Sequence, residues 1–242
     1  MRLDEGGNVF KDNSGLSLTQ RIARENVMPT VQWLEQLTGL NLGDNMLGST
    51  GRKETSSDLD LGIDETKITK DVLIQQLLRK GIPAGDIKKS GDSVHLKTPI
   101  LGDKSNGYVQ TDFMFGDPEF QKFSLVATGD SAYKGVHRAI LLASIAKAQG
   151  MKWSYKNGLV DRDTNEIITK DPAEIAKKLI GGNAADMDSV ETIVKKIKGL
   201  ANYEELVKDA KDSFERDNLA LPESQMLPGT GAWYRQFINK RI

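Results

Sequence analysis

The sequence predicts an α+β fold, in which a small mixed β-sheet flanked by helices is followed by a small α/β subdomain and a helical C-terminal extension. Strict alternation of polar and apolar residues at 58–63, and a looser alternation at 93–100 and 108–115, indicate strands with one buried face. The segments around them repeat apolar residues every three or four positions, which indicates amphipathic helices. From 183 onward the chain carries only helix-start and loop signals.

Composition predicts a soluble globular protein of the cytoplasm. Of 242 residues, 38% are apolar and 28% are charged, the formal net charge is −1, and there is no Cys. The near-neutral charge argues against a tight, non-specific grip on nucleic acid, although it leaves room for a local basic groove. The lack of Cys excludes disulfides and thiolate metal sites. We expect neither a secretory signal nor membrane contact, because no apolar run has the required length.

The N-terminal part of the chain is predicted to be irregular to residue 15 and then helical over 16–40. Apolar residues keep a rough helical period through this segment. Pro29 is expected to kink or split the helix, and Gly39 to end it. A short apolar stretch at 42–47 then leads into a turn.

That turn, Gly48-Ser49, precedes the first predicted strand, which carries Asp58 and Asp60. Because side chains alternate along a strand, the two carboxylates point to the same face, opposite the apolar residues. Adjacent carboxylates repel unless a cation neutralises them, and their oxygens suit Mg²⁺. The turn offers backbone N–H groups and a hydroxyl for a phosphate, and Arg52 adds a charge-assisted contact.

A helix at 67–80 and the strand at 93–100 lead to the strand at 108–115, in which Asp112 lies opposite the apolar face. An isolated Asp within an apolar strand is unusual, because burying an unpaired carboxylate is costly. Asp112 is therefore a candidate functional residue. The two histidines, His95 and His137, are expected to be surface or internally satisfied residues, and neither is assigned chemistry.

Asp117-Pro118 is expected to end this strand and to mark a boundary, which gives segments 1–117, 118–182 and 183–242. Beyond it, 120–127 is predicted to be extended and 132–149 to be helical. The remaining predictions are a hairpin within 151–170 that turns at Asn157-Gly158, a helix capped by Asp171 and ending at Gly181-Gly182, and tail helices near 189–198 and 203–217, with a short helix from Trp233.

The order of these features resembles the polymerase-beta-like nucleotidyltransferase superfamily. An apolar residue, Gly48-Ser49, a spacer and Asp-apolar-Asp make up its signature, with Asp112 in the place of the third carboxylate. The segment that follows, with Thr128-Gly129, a helix carrying Arg138, a hairpin and a capped helix, is similar to the order in family X DNA polymerases. The resemblance covers roughly residues 44–181.

The resemblance implies a nucleotidyltransferase palm followed by a thumb-like subdomain. It implies transfer of a nucleoside monophosphate from an NTP or dNTP to a hydroxyl, with two Mg²⁺ ions, or Mn²⁺ in their place. Asp58, Asp60 and Asp112 would be the catalytic residues and metal ligands. The residues implied to bind the nucleotide are Gly48, Ser49, Arg52, Thr128, Gly129 and Lys134, and Arg138 is implied to face nucleic acid.

The acceptor stays open between two classes. A nucleic-acid 3′ end, as for a minimal family X-like DNA polymerase or terminal transferase, is favoured by the Thr-Gly segment with Arg138. A tRNA, protein or small molecule is favoured by the slight negative charge and by residues 1–43, which are too short for the family's DNA-end-binding domain. A catalytically silent module is a third interpretation, against which the intact carboxylate triad speaks. Val126-Ala127, in place of an aromatic pair, predicts weak discrimination against ribonucleotides.

Overall fold

The computed structural model describes residues 8–126, 131–216 and 219–222. The chain forms two units, of which the first ends at Lys122 and the second begins at Phe123. The predicted boundary after 117 lies just before the helix that spans this division, and the predicted boundary after 182 lies within the second unit. The short helix predicted from Trp233 lies outside the described residues.

The α+β class is confirmed by helices and strands that alternate through both units. The strands are β1 (Ile22–Ala23), β2 (Thr55–Ser56), β3 (Asp58–Asp64), β4 (Ile87–Ser90), β5 (Ser93–Pro99), β6 (Tyr108–Gly116), β7 (Met151–Ser154), β8 (Gly158–Asp161) and β9 (Ile167–Thr169). The α-helices in the described residues are α1 (Arg24–Thr38), α2 (Lys70–Arg79), α3 (Pro118–Leu125), α4 (Gly135–Ala148), α5 (Pro172–Ile180), α6 (Val190–Ile197) and α7 (Tyr203–Arg216).

The first unit is organised around a mixed four-stranded sheet in the order β3-β6-β5-β4. β3 and β6 run parallel, and the other neighbours are antiparallel. The predicted alternation is confirmed in all three strands, since the residues on the predicted inner faces of β3, β5 and β6 are buried. They form one core with the apolar sides of α1 and α2, whose central members include Leu34, Leu61, Leu73, Leu96 and Phe113. The other face of the sheet carries the ionisable residues.

Helix α1 corrects the predicted start of the helix over 16–40, and it is not split at Pro29. It starts only at Arg24, because Ile22 and Ala23 pair with β2 as a short strand. It also continues through Pro29, which removes a single backbone N–H, while the Thr30 hydroxyl donates to the carbonyl of Asn26 at 2.7 Å. The predicted end is confirmed, because Gly39 adopts the left-handed conformation with φ 72°.

The extended segment predicted at 120–127 is instead helix α3 within the described residues. The Asp117 carboxylate accepts a hydrogen bond from the N–H of Glu119 at 3.0 Å, and Pro118 occupies the first helical position. The same Asp-Pro start opens α5, where Asp171 accepts from the N–H of Glu174 at 2.8 Å, as predicted. The Phe-rich composition of 120–127 concealed an equivalent cap.

The second unit packs α4 against α7 and carries the antiparallel sheet β7-β8-β9. The single hairpin predicted at 151–170 is therefore a three-stranded meander. Its first turn ends at Gly158, which has φ 70°, as the Asn-Gly signal indicates. The second turn follows Asp161, whose carboxylate accepts from the N–H groups of Asp163 and Thr164 at 2.9 and 2.8 Å. The predicted tail helices are confirmed as α6 and α7.

Among the helices of the described ranges, none combines the length and apolar character that crossing a bilayer would demand.

Candidate active site

The three carboxylates singled out in the sequence lie together on the polar face of the four-stranded sheet. Parallel pairing of β3 with β6 sets Asp60 opposite Asp112 and Asp58 opposite Gln110. One carboxylate oxygen of each of the three Asp residues lies within 4.8 Å of the others. The strand register, joining residues more than fifty positions apart in sequence, is what brings Asp112 to the other two.

The surroundings of Asp58 and Asp60 disfavour the charged forms of these two carboxylates. Burial and the neighbouring charge of Asp112 raise the pKa of Asp58 above its usual value, against smaller opposing effects of the Ser57 hydroxyl and of Arg21. Burial, followed by the charges of Asp58 and Asp112, raises the pKa of Asp60 well above its usual value. A bound divalent cation would relieve this repulsion, and a cluster of carboxylate oxygens suits Mg²⁺ or Mn²⁺.

The turn before β3 is joined to the strand at Asp60 itself. The N–H of Leu47 donates to the Asp60 carbonyl at 2.8 Å, and the N–H of Asp60 donates to the Thr50 hydroxyl at 2.9 Å. Thr50 is only 2% exposed. The sequence prediction missed Thr50, because nothing in a Ser-Thr pair shows which hydroxyl turns inward to hold the strand.

Gly48 brings the backbone of this turn against the Asp60 carboxylate. Its φ is 56°, and a Cβ added there would lie 2.8 Å from Asp60 Oδ2. A side chain at this position would therefore be strained and would push the carboxylate aside. The N–H groups of Gly48 and Ser49 have no acceptor among the described residues, so two donors remain beside the carboxylates for an anion.

Arg21 and Arg52 supply positive charge to this part of the first unit. The Arg21 guanidinium donates to the hydroxyl and to the carbonyl of Thr55, both at 2.9 Å, and its charge lowers the pKa of Asp58. Arg52 is exposed at the end of the Ser49 turn, where its N–H donates to the Ser49 carbonyl at 3.1 Å. The sequence prediction missed Arg21, because it placed this residue inside a helix rather than beside β2.

His95 contacts the third carboxylate, although we predicted no role for it. It faces Asp112 across β5 and β6, with Nδ1 2.7 Å from Asp112 Oδ1, and both side chains are 13% exposed. Gln110 Nε2 donates to the two Asp112 oxygens at 3.0 and 3.2 Å. The alternation of 93–100 places His95 on the polar face, but only the pairing register shows what lies opposite.

The remaining predicted site residues belong to the second unit or lie outside the described residues. Thr128 and Gly129, together with Ala127, are among the latter. Lys134 is exposed just before α4, where its N–H donates to His137 Nδ1 at 3.1 Å.

The structure corrects the prediction that Arg138 faces nucleic acid, because the Arg138 side chain is buried. It is 3% exposed, and its guanidinium donates to the carbonyls of Asp188, at 3.1 Å, and Phe123. Burial lowers its pKa from the usual value. Arg138 shares a buried face of α4 with apolar residues that include Leu141 and Leu142, and this face packs in the core of the second unit.

Comparison with known proteins adds no family to this description. No model of a known protein family matches the chain, and no curated protein is found as a relative.

Proposed function

We propose that this protein is a nucleotidyltransferase that transfers a nucleoside monophosphate from an NTP or dNTP to a hydroxyl group. The observation that supports it most strongly is the convergence of Asp58, Asp60 and Asp112 beside the Gly48-Ser49 turn. A cation site next to two unused backbone donors matches the two parts of a metal-bound triphosphate. The resemblance of the motif order to polymerase-beta-like enzymes supports the same reaction.

The donor set fits a divalent metal ion. Three carboxylates with mutually close oxygens, two of them with raised pKa values, are crowded in the absence of a cation. Asp58, Asp60 and Asp112 would hold Mg²⁺, which supplies charge stabilisation to the attacking and leaving oxygens of an in-line phosphoryl displacement. Mn²⁺ offers the same chemistry with the same oxygen ligands.

The other residues of the site bind and orient the nucleotide in this proposal. The N–H groups of Gly48 and Ser49 and the Ser49 hydroxyl contact the triphosphate, because they are the donors that the turn leaves unpaired. Thr50 keeps that turn fixed to Asp60, so that phosphate and metal ligands keep one geometry. Arg52 adds a positive charge at the rim of the turn.

The first acceptor proposed is the 3′-hydroxyl of a nucleic acid, in the manner of a minimal family X-like polymerase or terminal transferase. The second is a hydroxyl of a tRNA, a protein or a small molecule. Burial of Arg138 favours the second class, because it removes one of the two features that pointed to a nucleic-acid end. The near-neutral net charge of −1 acts in the same direction.

One labelling experiment tests the reaction and separates the acceptors. The full-length chain is incubated with each α-labelled NTP and dNTP, Mg²⁺, and separate pools of primed DNA, tRNA, protein and small metabolites. The proposal expects label in at least one pool, release of pyrophosphate, and loss of both with chelator or in the Asp60→Asn variant. Label in no pool with either metal ion, or label that survives Asp60→Asn, would contradict it.

A further inference from the structure

A row of polar residues crosses the whole four-stranded sheet and ends at the carboxylates. Pairing in register sets Lys88 of β4 opposite His95 of β5, His95 opposite Asp112 of β6, and Asp112 opposite Asp60 of β3. Directly paired residues put their side chains on the same face of a sheet. His95 is therefore the immediate neighbour of Asp112 on the side away from the other two carboxylates.

The contact between His95 and Asp112 is short and sheltered. Nδ1 lies 2.7 Å from Oδ1, and each side chain is 13% exposed. A carboxylate that binds a metal ion is ionised and only accepts hydrogen bonds, so Nδ1 would be the donor in the metal-bound site. Because both side chains are mostly shielded from water, few water molecules compete for this charge-assisted hydrogen bond, and it can fix the direction of the carboxylate.

Gln110 completes the hold on Asp112 from its own strand. Its Oε1 accepts from the N–H of Val9 at 2.9 Å, which fixes the amide so that Nε2 faces the carboxylate. Nε2 then donates to Oδ1 at 3.0 Å and to Oδ2 at 3.2 Å. Oδ1 thus has two donors, one of them at 2.7 Å, whereas Oδ2 has a single longer contact.

We infer that His95 is a positioning residue, which holds Oδ1 of Asp112 and so directs Oδ2 to the divalent cation. The terminal torsion of an Asp side chain is broad, so a carboxylate held at one oxygen presents the other in a defined direction. This inference rests on the metal site of the proposed function. Partners that orient a ligating group in this way typically contribute about 10–100-fold to metal affinity or activity.

Three substitutions separate positioning from simple filling of space. His95→Asn keeps an N–H donor at the same number of bonds from the backbone as Nδ1. His95→Gln keeps an amide but moves its donor one bond further out, and His95→Leu removes the donor. Ser93→Ala is the matched control, because Ser93 lies on the same strand and face, two residues away, and pairs with Met114 instead.

The first measurement needs no substrate: Mn²⁺ affinity of the full-length protein, by electron paramagnetic resonance titration. We expect His95→Leu and His95→Gln to weaken Mn²⁺ binding about 10–100-fold. His95→Asn is expected to stay within about threefold of wild type, and Ser93→Ala to match it. The second measurement is nucleotidyl transfer, in which His95→Leu should lower turnover and raise the Mg²⁺ requirement while KM for the NTP changes little.

The outcomes also distinguish this inference from the proposed function. Equal Mn²⁺ affinity in wild type and His95→Leu, or equal losses in the Asn and Leu variants, overturns the positioning role while transfer activity still stands. If the Leu variant does not fold, the contrast between Asn and Gln decides in the same way. A wild type that binds Mn²⁺ with the expected order of variants but labels no acceptor supports the role of His95 and contradicts the transferase. Absence of Mn²⁺ binding by wild type overturns the positioning role.

Discussion

Buried charge is treated in opposite ways in the two units. In the first, Asp58, Asp60 and Asp112 crowd on one face of a sheet, and the pKa values of Asp58 and Asp60 rise because burial and like charges oppose ionisation. In the second, Arg138 is more deeply buried than these half-buried carboxylates, but its guanidinium donates to two backbone carbonyls, those of Phe123 and Asp188.

The difference teaches how a structural charge is told from a functional one. The second unit offsets its buried cation at Nη1 and Nη2 with oxygen dipoles from its own backbone, whereas Nε has no hydrogen-bond partner among the described residues. The first unit gathers charges of one sign, an arrangement that costs stability and persists in proteins mainly where a ligand uses it. The predictions below test each half of this contrast.

The largest effect is expected from neutralising one of the crowded carboxylates. Asp60→Asn should lower nucleotidyl transfer by more than about a thousandfold, beyond the roughly 10²–10³ that loss of one transition-state hydrogen bond costs. Turnover of a labelled NTP measures it. Asp64→Asn is the matched control and should keep near wild-type activity. Asp64 lies on the same strand, but its carboxylate accepts hydrogen bonds from the N–H and the hydroxyl of Thr66. Comparable losses in both variants would contradict the assignment.

Removing the buried cation of the second unit should affect stability rather than metal binding. Arg138→Met leaves the carbonyls of Phe123 and Asp188 without their donor, and we expect a loss of about 2–4 kcal/mol in the free energy of unfolding. Chemical denaturation measures it. Lys147→Ala, which breaks an exposed ion pair with Asp209, should cost less than about 1 kcal/mol. An Arg138→Met variant that is as stable as wild type but binds Mn²⁺ more weakly would contradict the structural role of Arg138.

The metal-free protein should become more stable when Asp60 is neutralised. The folded-state pKa of Asp60 lies well above the ordinary value of 3.8. The protonated Asp60 therefore contributes fully to the free energy of unfolding below pH 3.8, and this contribution is lost as the pH rises through the folded-state pKa. Asp60→Asn should therefore unfold at higher denaturant than wild type at pH 7 in chelator, with an advantage that shrinks toward pH 4. Saturating Mg²⁺ should reverse the order, because only wild type gains binding energy. An advantage that does not change with pH would contradict this origin.

The smallest effect is expected at Arg21, the cation that offsets the charge of Asp58. Its guanidinium is exposed, so Arg21→Gln should raise KM for the NTP by no more than about fivefold, as the loss of an exposed charge pair does. Steady-state kinetics measures it, and raising the salt concentration should narrow the difference. A large fall in turnover at unchanged KM would instead indicate that Arg21 acts in the chemical step.

The sequence predicted most of what depends on local pattern. Alternation located β3, β5 and β6 and put Asp58, Asp60 and Asp112 on the polar face, and the Asp171 cap located α5. Strand β4 was missed because its four residues include two Lys and show no clear alternation. Helix α3 was missed because apolar composition outweighed the Asp117-Pro118 start.

The contacts around the site depend on register and turn geometry, which a single sequence does not contain. That His95 lies opposite Asp112 follows from antiparallel pairing, and a slip of one residue would have placed it on the other face. The inward hydroxyl of Thr50 and the close approach of Gly48 to Asp60 depend on the path of one short turn. The burial of Arg138 depends on helices that are distant in sequence.

The central claim is that Asp58, Asp60 and Asp112 bind a divalent cation together. A crystal of the full-length protein soaked with Mn²⁺ and a non-hydrolysable NTP analogue, measured for anomalous scattering, tests it most directly. The account predicts a Mn²⁺ peak with an oxygen of each of the three Asp residues within about 2.0–2.5 Å, and the triphosphate at the Gly48-Ser49 turn. No peak at the carboxylates, or a Mn²⁺ ion that leaves Asp112 unbound, would contradict it.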